Sequence, residues 1–274
     1  MIVSQGDPAA PSLPRSAMSR PSDTRPTRQR VLILGGSEQA SALARACAAA
    51  GIDGEFSYAG RVAALRPQPL PVRVGGFGGP EGLARYLTDG GFTALVDATH
   101  PFAAQMSGNA VAACRGIGLP LLALERPPWT AEPGDRWQAV PDMAAAVAAL
   151  AGAPERVFLA IGRLQVDLFA AQPQHVYLLR MVEAPSAPLA LPQAQIVMDR
   201  GPFTTDGDRA LMAAHGITRL VAKNAGGAAA YAKIAAARAL GLPVVMIDRP
   251  PIPDRPRVAD VAAVLHWLGH PVPA

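Results

Sequence analysis

Arg30-Val31-Leu32-Ile33-Leu34-Gly35-Gly36-Ser37-Glu38 opens the patterned part of this 274-residue chain. Val31 to Leu34 form an unbroken apolar run, the signature of a short strand buried on both faces. The glycine pair reads as a tight turn. An Ala- and Leu-rich run from Glu38 to Ala50, closed by Gly51, reads as a helix. Strand, glycine turn and helix in that order are the repeating unit of a parallel sheet.

The unit recurs on both sides of the chain's middle. Glu55–Ala59, Val72–Val74, Ala94–Ala98 and Pro120–Leu124 read as strands, with helices expected near Glu81–Asp89 and Asn109–Gly116. The alternation restarts with a helix over Asp142–Ala151. Strands at Val157–Ile161, Val176–Met181, Ala194–Met198, Arg219–Lys223 and Pro243–Ile247 follow, with helices at Thr205–His215, Ala228–Leu240 and Val258–Leu268. The pattern predicts an α/β protein of two similar domains, 30–130 and 131–274. The Pro-rich stretch Arg126-Pro127-Pro128-Trp129 marks the crossing.

Residues 1–29 are rich in Pro, Ser and Arg, show no periodicity and read as a flexible tail. Through Arg30 this segment carries five arginines against two aspartates, so it holds most of the net charge of +4. The near-neutral remainder lacks the basic stripe of a nucleic-acid binder. No apolar run reaches the roughly 20 residues of a membrane span, and the start lacks the apolar core of a secretion signal. The two cysteines, Cys47 and Cys114, lie apart in Ala-rich helical stretches and read as small buried hydrophobes, consistent with a reducing cytoplasm. Half the residues are hydrophobic and 17% are charged, a composition suited to a compact enzyme.

In parallel sheets, ligands bind beyond the carboxyl ends of the strands, so the loops after strands carry the functional expectation. Gly35, Gly36 and Ser37 let backbone N–H groups approach a phosphate at a helix N-terminus, although Ala40 stands where the full dinucleotide fingerprint has its third glycine. After the second strand come Ser57, Gly60 and Arg61, with no acid closing the strand. An acid there holds a ribose 2′-hydroxyl, whereas an arginine accommodates a 2′-phosphate; Arg61 reads equally well as a surface charge. The Gly75–Gly79 loop, including Gly76, permits close backbone approach. Asp97, Thr99 and His100 cluster at the end of a buried strand. In the second half, Arg163, Arg180, Arg200, Lys223 and Asn224 follow or end strands, and cations gathered on one crevice suit a polyanionic ligand.

These loops together resemble the precorrin-6A reductase family of cobalamin biosynthesis. The specific elements are Asp97-Ala98-Thr99-His100-Pro101-Phe102 and Lys223-Asn224-Ala225-Gly226-Gly227, supported by Gly201-Pro202-Phe203, Arg126-Pro127-Pro128-Trp129 and Gly241 to Pro250. The resemblance implies two Rossmann- or flavodoxin-like domains with the active site in the cleft between them. It also implies hydride transfer from NADPH to a ring double bond of the macrocycle. On that basis Gly35, Gly36, Ser37, Ser57, Gly60, Arg61, Gly76 and Thr99 are expected at the cofactor. Arg163, Arg180, Arg200, Lys223 and Asn224 are expected at the tetrapyrrole, and His100 and Lys223 at the chemistry, with no metal. A cytoplasmic monomer passing its product to neighbouring pathway enzymes is expected. Two departures stand out: Ser37-Glu38-Gln39 follows the glycine pair, and Ala225 replaces a hydroxyl residue. Another NADP-dependent reductase of a smaller anion, the same reaction on the cobalt-containing ring, and a nucleotide-sensing binding protein are the competing readings.

Overall fold

The computed structural model describes residues 29–60, 65–185 and 187–270. The tail and Arg61 lie outside the described residues.

The chain builds two six-stranded sheets, each with every strand pairing parallel. The first contains β1 (Arg30–Leu34), β2 (Asp53–Tyr58), β3 (Val72–Val74), β4 (Ala94–Asp97), β5 (Leu121–Leu124) and β12 (Arg257–Val258), in the spatial order β12-β5-β4-β1-β2-β3. The second contains β6 (Arg136–Val140), β7 (Arg156–Ala160), β8 (Val176–Met181), β9 (Ala194–Met198), β10 (Arg219–Lys223) and β11 (Pro243–Ile247), in the order β6-β11-β10-β7-β8-β9. Both repeat the doubly wound dinucleotide-binding order, in which the chain reverses direction beside the first strand and opens a crevice there.

Alternation along β1 fixes the layers. Val31 and Ile33 pack with Leu43, Cys47, Val264 and Leu265, that is, against α1 (Glu38–Ala49) and α7 (Val261–Trp267). Leu32 and Leu34 point the other way, onto Leu83, Leu87, Ala110 and Cys114 of α2 (Gly79–Asp89) and α3 (Ala104–Ile117). Both cysteines are buried and free. In the second sheet Val157 and Leu159 face α4 (Met143–Ala148) and a 3-10 segment, Arg163–Ala171. Phe158 faces α5 (Thr205–Ala214) and α6 (Ala232–Ala239). Each apolar side chain so buried is worth about 1.5–3 kcal/mol, which explains why two-faced runs such as Val-Leu-Ile-Leu define the sheet centres.

The division at residue 130 needs one correction. The last strand and helix do not belong to the second sheet: β12 pairs with β5, and α7 packs on α1. The first domain is therefore discontinuous. In its sheet the sixth position is filled by the end of the chain, and in the second sheet by β6, which precedes the other five strands. Neither β6 nor β12 is legible in the sequence. Arg-Trp-Gln-Ala-Val is an edge strand whose side chains are mostly exposed, and β12 is two residues long, just after Pro256. Helix α3 starts five residues before Asn109, and that start is not legible because no side chain caps it at Ala103 and the usual N-terminal signal is missing. Among the described residues no helix is long and apolar enough to cross a membrane.

Candidate active site

The two segments that pass between the sheets leave from carboxyl ends, one after β5 and one after β11. They enclose a cavity of about 640 Å³ whose lining includes Pro101, Glu125, Arg126, Arg249, Arg255 and Val258. It lies at the ends of β4, β5 and β12, the half of a dinucleotide-binding sheet away from β2 and β3.

The strand-end residues expected at a cofactor lie side by side along the first sheet. Leu34 is in register with Ser57 on one side and Asp97 on the other, and Ser57 with Arg73. Gly35 donates its N–H to the Ser57 carbonyl (2.9 Å), and a Cβ there would fall 2.0 Å from the Phe56 ring, so packing demands that glycine. Gly36 differs: its φ is +120°, and a Cβ would meet no atom within 4 Å. Backbone can therefore be approached closely at Gly36. Ser37 caps α1, accepting from the Ala40 N–H (3.1 Å) while donating to the Ala98 carbonyl (2.9 Å). Its hydroxyl is thus already engaged, and what it offers a ligand is the backbone of the first helical turn. Gly60 (φ +73°) packs beside Val74 and Gly75.

Arg73, which the sequence reading passed over, dominates the end of β2. Its guanidinium donates to Ser57 Oγ (3.0 Å) and to the carbonyls of Gly75 (2.8 Å) and Gly76 (3.1 Å), and stacks over Phe77 at 3.9 Å. The signal available was a lone arginine in a three-residue strand entering a glycine loop.

Asp97 is buried at the end of β4. Its Oδ1 accepts from the Thr99 N–H (3.2 Å) and hydroxyl (2.7 Å), a local turn that aspartate favours, and Arg255 lies 3.4 Å from its Oδ2. Arg255 also reaches Glu125 (3.1 Å), which pairs with Arg249 (2.8 Å). A chain of charges thereby ties the β4 loop to both crossings. The loop then turns so that the Phe102 N–H donates to His100 Nδ1 (3.2 Å), leaving the proton of neutral imidazole on Nε2. His100 keeps an exposed edge, yet crowding by protein atoms, followed by the charges of Arg126, Lys223, Arg249 and Lys233, pushes its pKa down to about 4. Phe102 packs on the second domain's core.

Lys223 comes to this place from the second sheet. Its Nζ donates to Gln165 (2.9 Å) and lies 5.2 Å from the centre of the Phe102 ring, and burial lowers its pKa. Lys233 of α6 joins it, lowered to about 8 by burial, with Arg180 and Arg126 adding to the effect against the pull of Asp208. Among the described residues, Arg126, Lys223 and Lys233 make no ion pair. Arg126, Arg249 and Lys233 were not on the expected list, since the stretch around Arg126 read only as a domain crossing.

The remaining expected residues behave differently. Arg180 is engaged by Asp208 and lies 3.4 Å over the Phe203 ring. Asn224 is buried, with Oδ1 accepting from the Trp129 N–H (2.7 Å) and Nδ2 donating to the Trp129 carbonyl (3.0 Å), so its amide closes a clasp between the crossing and β10. Gly226 and Gly227 belong to the same clasp: Cβ atoms there would lie 2.1 Å from the Pro127 carbonyl and 2.4 Å from Arg126 Cδ. Arg126 Nε donates to the Ala225 (2.8 Å) and Gly226 (2.7 Å) carbonyls. Arg163 and Arg200 are exposed, and no side-chain contact among the described residues ties them to the cluster. Gln39 bridges Arg126 (3.5 Å) and the Ala259 carbonyl (3.0 Å), which gives the Ser-Glu-Gln departure a structural role.

Residues 30–269 match the family described as Precorrin-6x reductase CbiJ/CobK. The precorrin-6A reductase of Rhodobacter capsulatus is 58% identical over 239 residues, covering 87% of this chain and 95% of that protein. The cobalt-precorrin-6A reductase of Priestia megaterium is 32% identical, covering 87% and 97%. A solved structure titled CobK precorrin-6A reductase superposes with a TM-score of 0.85 at 58% identity, covering 88% of this chain and 96% of that one. With the family matching along nearly the whole described length and the fold superposing, the chain belongs to the precorrin-6x reductase family.

Proposed function

We propose that this chain reduces the metal-free macrocycle precorrin-6A to its dihydro form in cobalamin biosynthesis, with NADPH as the hydride source. The observation that carries the reading is that Lys223 of the second sheet meets the Phe102 loop of the first (5.2 Å), with Arg126, Lys223 and Lys233 gathered around His100 without carboxylate partners among the described residues, next to the cavity that Pro101 and Arg126 line. A ring bearing many carboxylate arms supplies those partners. The stronger identity to relatives named for precorrin-6A than to those named for its cobalt form supports the metal-free ring.

The residues fit a dinucleotide. The strand order is the dinucleotide-binding one, Gly36 leaves the backbone open before α1, and no acid closes β2. Gly35, Gly36 and Ser37 would lie against the pyrophosphate, Gly60, Gly76, Ser57 and Arg61 along the adenosine half, and Thr99 nearer the nicotinamide. When bound, the reduced nicotinamide supplies a hydride to a ring carbon, and the product takes up one proton as well. Lys223 holds the acidic arms and the charge developing on the ring. His100 is neutral near pH 7, so it orients a donor through its Nε2–H instead of serving as a charged acid. Arg163, after the central β7, and Arg200, after the edge strand β9, reach carboxylates farther from the reaction. Arg180 and Asn224 support these strand ends and do not touch the ring.

The test is an absorbance assay with NADPH and either metal-free or cobalt-containing ring. One NADPH consumed per metal-free ring is expected, with NADH a poorer donor. No change in either chromophore would sink the reading, and faster turnover of the cobalt form would overturn the choice of substrate.

A further inference from the structure

Arg73 sits beside the end of β2, where dinucleotide-binding sheets set cofactor preference. It lies on β3 opposite Ser57, the residue near the end of β2. An NAD-binding sheet places an acid there. The acid nearest that end is Glu55, which is engaged by the Tyr86 hydroxyl and lies 3.7 Å from Arg30. The charge presented is therefore positive.

The geometry of the guanidinium is informative. Nη1 makes two hydrogen bonds, to Ser57 Oγ (3.0 Å) and the Gly75 carbonyl (2.8 Å), and Nη2 makes one, to the Gly76 carbonyl (3.1 Å). Of five N–H donors, Nε–H and one Nη2–H remain without a partner among the described residues. Nε and Nη2 share one edge of the fork, the edge that grips a phosphate with two parallel bonds. Phe77 at 3.9 Å and Tyr86 at 5.0 Å, with ring centroids 5.2 Å apart, pack together on one side of the guanidinium and hold its position. Ser57 Oγ accepts from Arg73, so its own hydroxyl proton is available to donate. Side chains built at Gly75, Gly76, Gly78 or Gly79 would meet nothing within 4 Å, which leaves room beside the fork.

We propose that Arg73 is the specificity-determining residue for NADPH, its Nε–Nη2 edge gripping the ribose 2′-phosphate with the Ser57 hydroxyl beside it. This rests on the dinucleotide reading above. The same fork holds the Gly75–Gly76 turn, so the phosphate contact and the loop conformation are coupled.

Equilibrium binding of NADPH and NADH to the wild-type full chain and to Arg73→Ala and Arg73→Lys tests the assignment. Arg73→Ala is expected to weaken NADPH at least tenfold and NADH less than twofold. Arg73→Lys keeps the charge but not the fork and should fall between. Competition by 2′,5′-ADP and by 5′-AMP gives the readout without turnover: 2′,5′-ADP should lose its advantage in Arg73→Ala. Equal losses for both cofactors, with a melting temperature within a few degrees of wild type, would show that Arg73 only shapes the glycine loop and would overturn the proposal. Should Arg73→Ala unfold, Arg73→Lys decides: undiminished discrimination there overturns it. Failure of the wild type to bind either cofactor would instead overturn the dinucleotide reading, and this assignment with it.

Discussion

The Lys223 ammonium, at the end of a strand in the second sheet, lies 5.2 Å from the centre of the Phe102 ring in a loop of the first. It is one of the points at which the two domains meet. Lys223→Met keeps much of the stem's packing and removes the charge. A charge-assisted contact is worth about 1.5–3 kcal/mol, so the KM for the macrocycle should rise roughly tenfold or more. The dissociation constant of NADPH should stay within about twofold. Steady-state kinetics and cofactor titration check this, and an equal loss of both affinities would place Lys223 at the cofactor.

His100 is expected to be neutral across the working pH range. Imidazole NMR should show titration near 4, with no limb between pH 5.5 and 7.5 assignable to this residue. Because the folded pKa lies below the ordinary 6.5, the unfolded chain takes up the proton first as pH falls. Its contribution to stability is therefore intact above about 6.5 and is lost as pH drops toward about 4. His100→Ala should lower kcat modestly and leave the neutral-pH profile unchanged. A titration near 6.5 would sink the neutral assignment.

What the sequence revealed and what it hid divide along a physical line. Val31-Leu32-Ile33-Leu34 declares a central strand because both its faces are buried, and the loops after such strands could be read in order. Of the four edge strands, β3 and β9 are legible from short apolar runs, whereas β6 is mostly exposed and β12 takes its place only through pairing with β5, more than a hundred residues earlier. The site divides likewise. Strand-end position nominated Lys223, Arg180 and Asn224 alike, and the Asp208 and Trp129 partners of the last two are distant in sequence and visible only in the fold. Arg126 comes just after β5 but read only as part of a domain crossing, and Lys233, on a helix, had no strand end to mark it.

Arg180 should prove a stability residue, not a substrate residue. Asp208 is 1% exposed, and Arg180 is its ion-pair partner. Arg180→Met leaves a buried carboxylate uncompensated, a change that costs about 3–5 kcal/mol. Arg180→Met combined with Asp208→Asn should recover much of that loss, because the orphaned charge is gone. Urea denaturation measures both. A raised KM for the macrocycle with stability unchanged would show that Arg180 reaches substrate after all.

Two glycines with similar backbone demands should respond to alanine in opposite ways. Gly226 (φ +69°) and Gly36 (φ +120°) both hold conformations that L-residues rarely adopt. At Gly226 the added Cβ would stand 2.1 Å from the Pro127 carbonyl and 2.5 Å from Arg249 Nη2, so the crossing must move or the clasp must open. Gly226→Ala is therefore expected to destabilise the chain by on the order of 2–4 kcal/mol and to loosen the domains against each other. At Gly36 the Cβ meets no atom within 4 Å, so the stability cost is confined to backbone strain of about 1 kcal/mol. The methyl would instead occupy the approach to the first turn of α1, and NADPH binding should weaken at least tenfold. Thermal melts and cofactor titrations on the two variants separate these effects. A Gly36→Ala protein that binds NADPH normally would remove the glycine turn from the cofactor site, and a Gly226→Ala protein of unchanged stability would show that the clasp yields at little cost.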